Sequence, residues 1–94
     1  MDVAIIFEVS ERTDDVRTEL IIMGYYNSWQ TSSGDVKTRY GLPNNMVWKR
    51  DITFQDAINN IKLAINNINH KIGGTIVLQK CITLSTTPWD GVPS

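Results

Sequence analysis

The chain has 94 residues, 41% of them hydrophobic, and nine Lys and Arg stand against ten Asp and Glu for a net charge of -1. That length and apolar share suit one domain with a single modest core. The near-neutral balance excludes the broad basic surface of a non-specific nucleic-acid binder, and the lone cysteine, Cys81, excludes an internal disulfide. No apolar run approaches the roughly eighteen residues that span a bilayer, so a soluble, cytoplasmic protein is expected, with no membrane partner.

Val3 to Val9 reads as the first strand. Alternation puts Val3, Ile5, Phe7 and Val9 on one face, and Ala4, Ile6 and Glu8 on the other. Glu8 is the one charge in this apolar stretch, and a buried carboxylate without a partner is costly, so its face must open to water or to a partner. Ser10 to Thr13 form a polar break. Thr13 is the expected N-cap of a helix from Asp14 to Met23, with Asp14 and Asp15 in the first turn and Gly24 as the stop.

Tyr25 to Thr31 is aromatic-rich and predicts a second strand, whereas residues 32–44 have little apolar content and read as an exposed loop or long hairpin tip. Asn45 to Arg50, with Met46, Val47 and Trp48, predicts a third strand. Thr53 caps a second helix with Asp56 three residues on, a capping box with Asp in place of the usual Glu or Gln. Phe54, Ala57, Ile58, Ile61, Ala64, Ile65, Ile68 and Ile72 trace one apolar stripe, and an asparagine-rich face opposite is expected to be solvated. Gly73-Gly74 ends this helix. A last strand follows from Thr75 to Leu84, with Ile76, Leu78, Ile82 and Leu84 expected beneath the helices and Val77, Gln79, Cys81 and Thr83 on the open face. Lys80 breaks the inner row.

The order β-α-β-β-α-β, with right-handed crossovers, predicts an α+β ferredoxin-like sandwich: two helices on one face of a four-stranded antiparallel sheet. The domain would cover residues 1–84, leaving residues 85–94 as a tail that contains Trp89. The other face of the sheet is semi-apolar. A homodimer through that face or through the edge strands is therefore expected.

A first strand ending in a carboxylate (Phe7-Glu8-Val9-Ser10), a helix closing in Gly24-Tyr25, an aromatic strand and a Trp48-bearing strand before an amphipathic helix form a pattern across residues 3–84. It resembles the small CRISPR-associated ferredoxin-like proteins that partner the spacer integrase, and their relatives among virulence-associated protein D toxins. The resemblance implies a metal-dependent endonuclease, weak or inactive here, with Glu8 as the catalytic residue and metal ligand for Mg²⁺ or Mn²⁺ shared across a two-fold axis. The family carries Asp at this place, and Glu8 moves the carboxylate by one methylene. The plain alternative is a strand-end Glu paired with a Lys or Arg.

Trp29, Lys37, Arg39, Tyr40, Trp48, Lys49 and Arg50 gather aromatic and cationic groups, the types that stack on bases and meet phosphates, and so form the candidate site for RNA or DNA. Their plain alternative is a core tryptophan beside a solvated basic loop. His70 and Cys81 have no partners at metal-ligand or nucleophile spacing. Two functions follow: a homodimeric nucleic-acid-associated protein of the kind just named, or a non-enzymatic regulatory or protein-interaction module on the same fold.

Overall fold

The computed structural model describes residues 1–33 and 36–85, excluding the side chains of residues 29–40. In chain order the elements are β1 (Val3–Val9), α1 (Thr13–Ile22), β2 (Ser28–Ser33), β3 (Val36–Gly41), β4 (Met46–Lys49), α2 (Phe54–Ile72) and β5 (Leu78–Ser85). The expected Trp89 tail lies outside the described residues.

β1 forms the centre of a three-stranded antiparallel sheet in the order β4-β1-β5. Its inner face meets expectation. Val3, Ile5, Phe7 and Val9 are buried with Val16 and Leu20 of α1 and Ala57, Ile61, Ala64, Ile65 and Ile68 of α2. Both helices therefore pack on one face of the sheet, as the crossovers require.

Four strands were expected in that sheet, and the described residues form three. The second strand joins it at one point only, an antiparallel bridge between Tyr26 and Trp48. Beyond Tyr26 the chain departs to pair β2 with β3 as a separate hairpin, from Ser28↔Gly41 to Ser33↔Val36. Eight of the thirteen residues of the expected loop at 32–44 are thus strand. In the sequence the only alternation there, Val36, Thr38 and Tyr40 with Lys37 and Arg39, is short and mostly polar.

α1 begins one residue earlier than expected. Arg12, not Thr13, is the N-cap, in the left-handed conformation (φ 58°, ψ 44°) and with no side-chain cap. The connection from β1 reverses within three residues, and a left-handed residue achieves that turn. α2 forms as its capping box predicts. The Asp56 N–H donates to Thr53 Oγ1 at 3.0 Å, and the Thr53 N–H donates to Asp56 Oδ2 at 3.1 Å. Gly73 closes the helix at φ 63°, a conformation that favours glycine.

The asparagine-rich face of α2 does more than meet water. Asn60 Nδ2 donates to the Tyr25 hydroxyl at 2.8 Å, and Asn67 Nδ2 reaches Glu19 Oε1 at 3.4 Å. Asn69 clips the turn into β5: its Nδ2 donates to the Ile76 carbonyl at 3.0 Å, and its Oδ1 accepts from the Ile76 N–H at 2.8 Å.

β5 departs from the expected alternation. Glu8 pairs with Lys80 but Val9 pairs with Leu78, so Gln79 is an extra residue opposite the Glu8/Val9 step. This β-bulge shifts the phase of every residue after it. Cys81 lies opposite Phe7 and Thr83 opposite Ile5, which turns them toward the helices. Ile82 and Leu84 lie opposite Ile6 and Ala4 and belong to the open face. The expected faces are therefore exchanged beyond Lys80, and the lysine that broke the inner row marks the place.

An open sheet face as the candidate site

The face of the sheet turned away from the helices divides into two halves. On the β4 side, Trp48 lies directly across from Ala4 and its ring meets Tyr26 with centroids 4.8 Å apart. Its indole Nε1 donates to the Ser28 carbonyl at 2.8 Å, and only 5% of the residue is exposed. The Arg50 guanidinium sits 5.3 Å from the Trp48 ring centroid and 5.8 Å from that of Tyr26, within cation–π range. This half is closed by the chain's own residues.

The β5 half is uncovered. Ile82 is 54% exposed and Leu84 is 45% exposed, and Ile6 beside them is half-buried. At the end of this patch, next along the strands from the Ile6–Ile82 pair, Lys80 Nζ approaches Glu8 Oε2 at 3.7 Å, with both side chains mostly in water. β5 is also the terminal strand of its sheet, so its outer backbone edge has no strand partner among the described residues.

The expected metal ligand thus stands beside an ammonium group. Among the described residues no cluster of three or more His, Cys, Asp or Glu side chains is placed to hold a metal ion. One carboxylate facing a lysine does not fit Mg²⁺ or Mn²⁺ within a single chain, since such ions gather several oxygen ligands.

The expected nucleic-acid residues are not gathered into one surface. Trp48 and Arg50 share the open face with Tyr26, which the sequence reading did not select as a site residue. Lys49 turns to the helix side, where its Nζ donates to the Met23 carbonyl at 3.0 Å and lies 5.5 Å from the Tyr25 ring centroid. That ammonium also explains Gly24: a Cβ there would come within 3.3 Å of it, and the backbone holds φ 101°. The side chains of Trp29, Lys37, Arg39 and Tyr40 lie outside the described residues, and their backbones belong to the β2–β3 hairpin. Tyr26 was legible only as an aromatic residue at the start of a strand; its exposure on this face depends on the bridge to Trp48.

Behind the sheet, Cys81 faces the core and burial raises its thiol pKa, opposed by the charge of Lys62. Burial likewise raises the Tyr25 hydroxyl, opposed by the hydrogen bond from Asn60. Neither group has an acid–base partner that would suit catalysis. Its location on the core side removes Cys81 from the exposed position expected of it.

Fold and site together define a small α+β protein with an open, half-apolar sheet face. No helix among the described residues is long and apolar enough to cross a membrane. No protein-family model matches the chain, and no curated protein or solved structure matches it either.

Proposed function

We propose that this chain is a non-enzymatic interaction module that works as a homodimer, two copies meeting along β5 and the uncovered half of the sheet. The observation that carries this reading is the pair Ile82 and Leu84, about half exposed on a terminal strand whose outer backbone edge has no strand partner among the described residues. Exposed apolar edge strands in a soluble chain invite pairing with another strand. A second copy is the occupant that the charges favour. Glu8 and Lys80 lie side by side, so a two-fold axis at the patch sets the acid of each copy near the base of the other. The resemblance to two-fold ferredoxin-like proteins, drawn from the sequence pattern, supports the same assembly.

Sedimentation equilibrium tests this directly. The wild-type chain is expected to be a dimer at micromolar concentration, and Ile82→Lys a monomer with unchanged helix and strand content. A wild-type chain still monomeric at about 100 μM would defeat the proposal, because an affinity weaker than that is only about 5 kcal/mol of binding. Cleavage of RNA and DNA with Mg²⁺ or Mn²⁺, compared between wild type and Glu8→Ala, tests the non-enzymatic half. Equal background in both is expected, and cleavage lost with Glu8 would restore the nuclease reading.

A second reading rests on Arg50 lying over Tyr26 and Trp48. A half-exposed tyrosine beside a guanidinium suits a stacked base and its phosphate. Fluorescence polarisation with labelled single-stranded RNA and DNA, and loss of binding in Tyr26→Ala and Arg50→Ala, is the corresponding test.

A further inference from the structure

The helical layer carries its own feature, independent of the sheet face. α1 and α2 border an open groove of about 310 Å³, at the small end of the range for ligand sites. Its floor is Ile68, only 6% exposed, and its apolar walls are Ile22 and Ile72. Ile22 is 71% exposed, the most exposed of the large apolar residues among those described, although a polar residue would close α1 equally well.

Charges of both signs line the same groove. Arg12 Nη1 donates to Asp15 Oδ2 at 3.1 Å, and Lys71 Nζ donates to Glu19 Oε2 at 3.5 Å. Arg12, Asp15, Glu19 and Ile22 recur at spacings of three, four and three residues, which places them in one stripe along α1. The Arg12–Asp15 pair is exposed and contributes little to stability, so exchanging it for a ligand contact is inexpensive, whereas the Glu19 side chain is only 12% exposed. Lys71, with three donors, and Arg12, with five, keep spare capacity, and each Glu19 oxygen accepts one long bond, from Asn67 at 3.4 Å or from Lys71.

We propose that this groove binds a free amino acid with a branched aliphatic side chain, of the leucine or isoleucine type. Arg12 and Lys71 receive the α-carboxylate, Asp15 and Glu19 receive the α-ammonium, and the side chain covers Ile22, Ile68 and Ile72. The chemistry rules between candidates. A phosphate or other anion meets two carboxylates, a simple cation meets a guanidinium and an ammonium, and a purely apolar ligand leaves all four charges less well solvated. A small zwitterion with an aliphatic body satisfies the three features together.

Isothermal titration calorimetry on the full chain, with L-leucine as ligand, tests this. Saturable binding is expected at millimolar or lower concentration. Leucinamide, which lacks the carboxylate, 4-methylpentanoate, which lacks the ammonium, and glycine, which lacks the side chain, should each bind at least about tenfold more weakly, the scale of one lost charge-assisted contact or of a lost buried aliphatic side chain. Ile22→Asn should abolish binding while leaving the melting temperature of the unliganded protein unchanged, because Ile22 is already largely in water. Lys71→Met should weaken leucine more than leucinamide. No saturable heat up to about 10 mM leucine, equal binding of leucine and leucinamide, or binding retained in Ile22→Asn would each overturn the assignment. Because the groove and β5 lie on opposite layers, the Ile82→Lys monomer should bind leucine unchanged, so failure here leaves the dimer reading standing.

Discussion

The turn from α2 into β5 depends on one side chain, and replacing Asn69 with alanine exposes that dependence. The change removes two hydrogen bonds at once, leaving the N–H and the C=O of Ile76 unpaired. Ile76 is only 4% exposed, so water reaches those groups poorly. A neutral hydrogen bond contributes about 1 kcal/mol net, and a buried polar group left without its partner costs about 1–3 kcal/mol. Because both bonds are only partly buried, the lower part of that range applies, and the expected loss is about 2–3 kcal/mol. For a chain of this size that is a fall in Tm on the order of 10–20 °C. Urea denaturation followed by circular dichroism is the assay: the midpoint should fall with an unchanged slope. Asn69→Asp keeps the acceptor for the Ile76 N–H and loses the donor, so it should sit between the two. A loss below about 0.5 kcal/mol for Asn69→Ala, or a changed slope, would refute the reasoning.

Other expectations follow from the strands and from titration. Deleting Gln79 removes the bulge and leaves Leu78 and Lys80 against Val9 and Glu8, so stability should stay within about 1 kcal/mol by urea denaturation; deleting Cys81 instead turns Ile82 and Leu84 inward and should be several-fold more damaging. Tyr25 and Cys81 both titrate above their ordinary values of 10.0 and 9.0, which means the folded chain holds these protons at pH values where the unfolded chain has released them. Their contribution is therefore complete below about pH 9 and declines as pH rises beyond it, and Tyr25→Phe should flatten that decline in denaturation midpoints measured from pH 8 to 11. Gly73→Ala meets no atom within 4 Å but must hold φ 63°, so a loss of about 1–2 kcal/mol in the same assay is expected from the backbone alone. Glu8→Ala should change the stability of the monomeric Ile82→Lys background by less than about 0.5 kcal/mol, since its pair with Lys80 is exposed.

What the sequence disclosed was set by the range of each interaction. The inner face of β1 and the stripe of α2 from Ala57 to Ile68 follow from periodicity, and the Thr53–Asp56 box is local, so these were legible, whereas Phe54 and Ile72 at the ends of the expected stripe are exposed. The phase of β5 was not. A bulge is one extra residue, and the apolar pattern of Ile82 and Leu84 looks the same on either face until the partner strand fixes the register. Lys80 was the visible sign, read as the end of the helical layer when it marks the switch of face. The second arm of the hairpin was hidden because its alternation, Val36, Thr38 and Tyr40 with Lys37 and Arg39, is short and mostly polar. The Asn69 clip, the Asn60–Tyr25 bond and the Lys49–Met23 contact join residues that only the folded chain brings together. The groove between the helices combines α1 and α2 residues about fifty positions apart, and no spacing rule anticipates it.

The bridge between Tyr26 and Trp48 has a meaning for assembly. It engages both outward backbone groups of Trp48, the Tyr26 N–H donating to the Trp48 carbonyl at 2.7 Å and the Trp48 N–H to the Tyr26 carbonyl at 3.1 Å. β4 has only four residues, so this single contact occupies the middle of its outer edge. A neighbouring molecule offering β5 finds the ladder there already taken. Growth from β5 of one molecule to β4 of the next would never close, and sheets would lengthen into filaments. With β4 stopped, the proposed meeting of β5 with another β5 would end at two. One bridge between two aromatic residues thus favours a finite complex over a fibre.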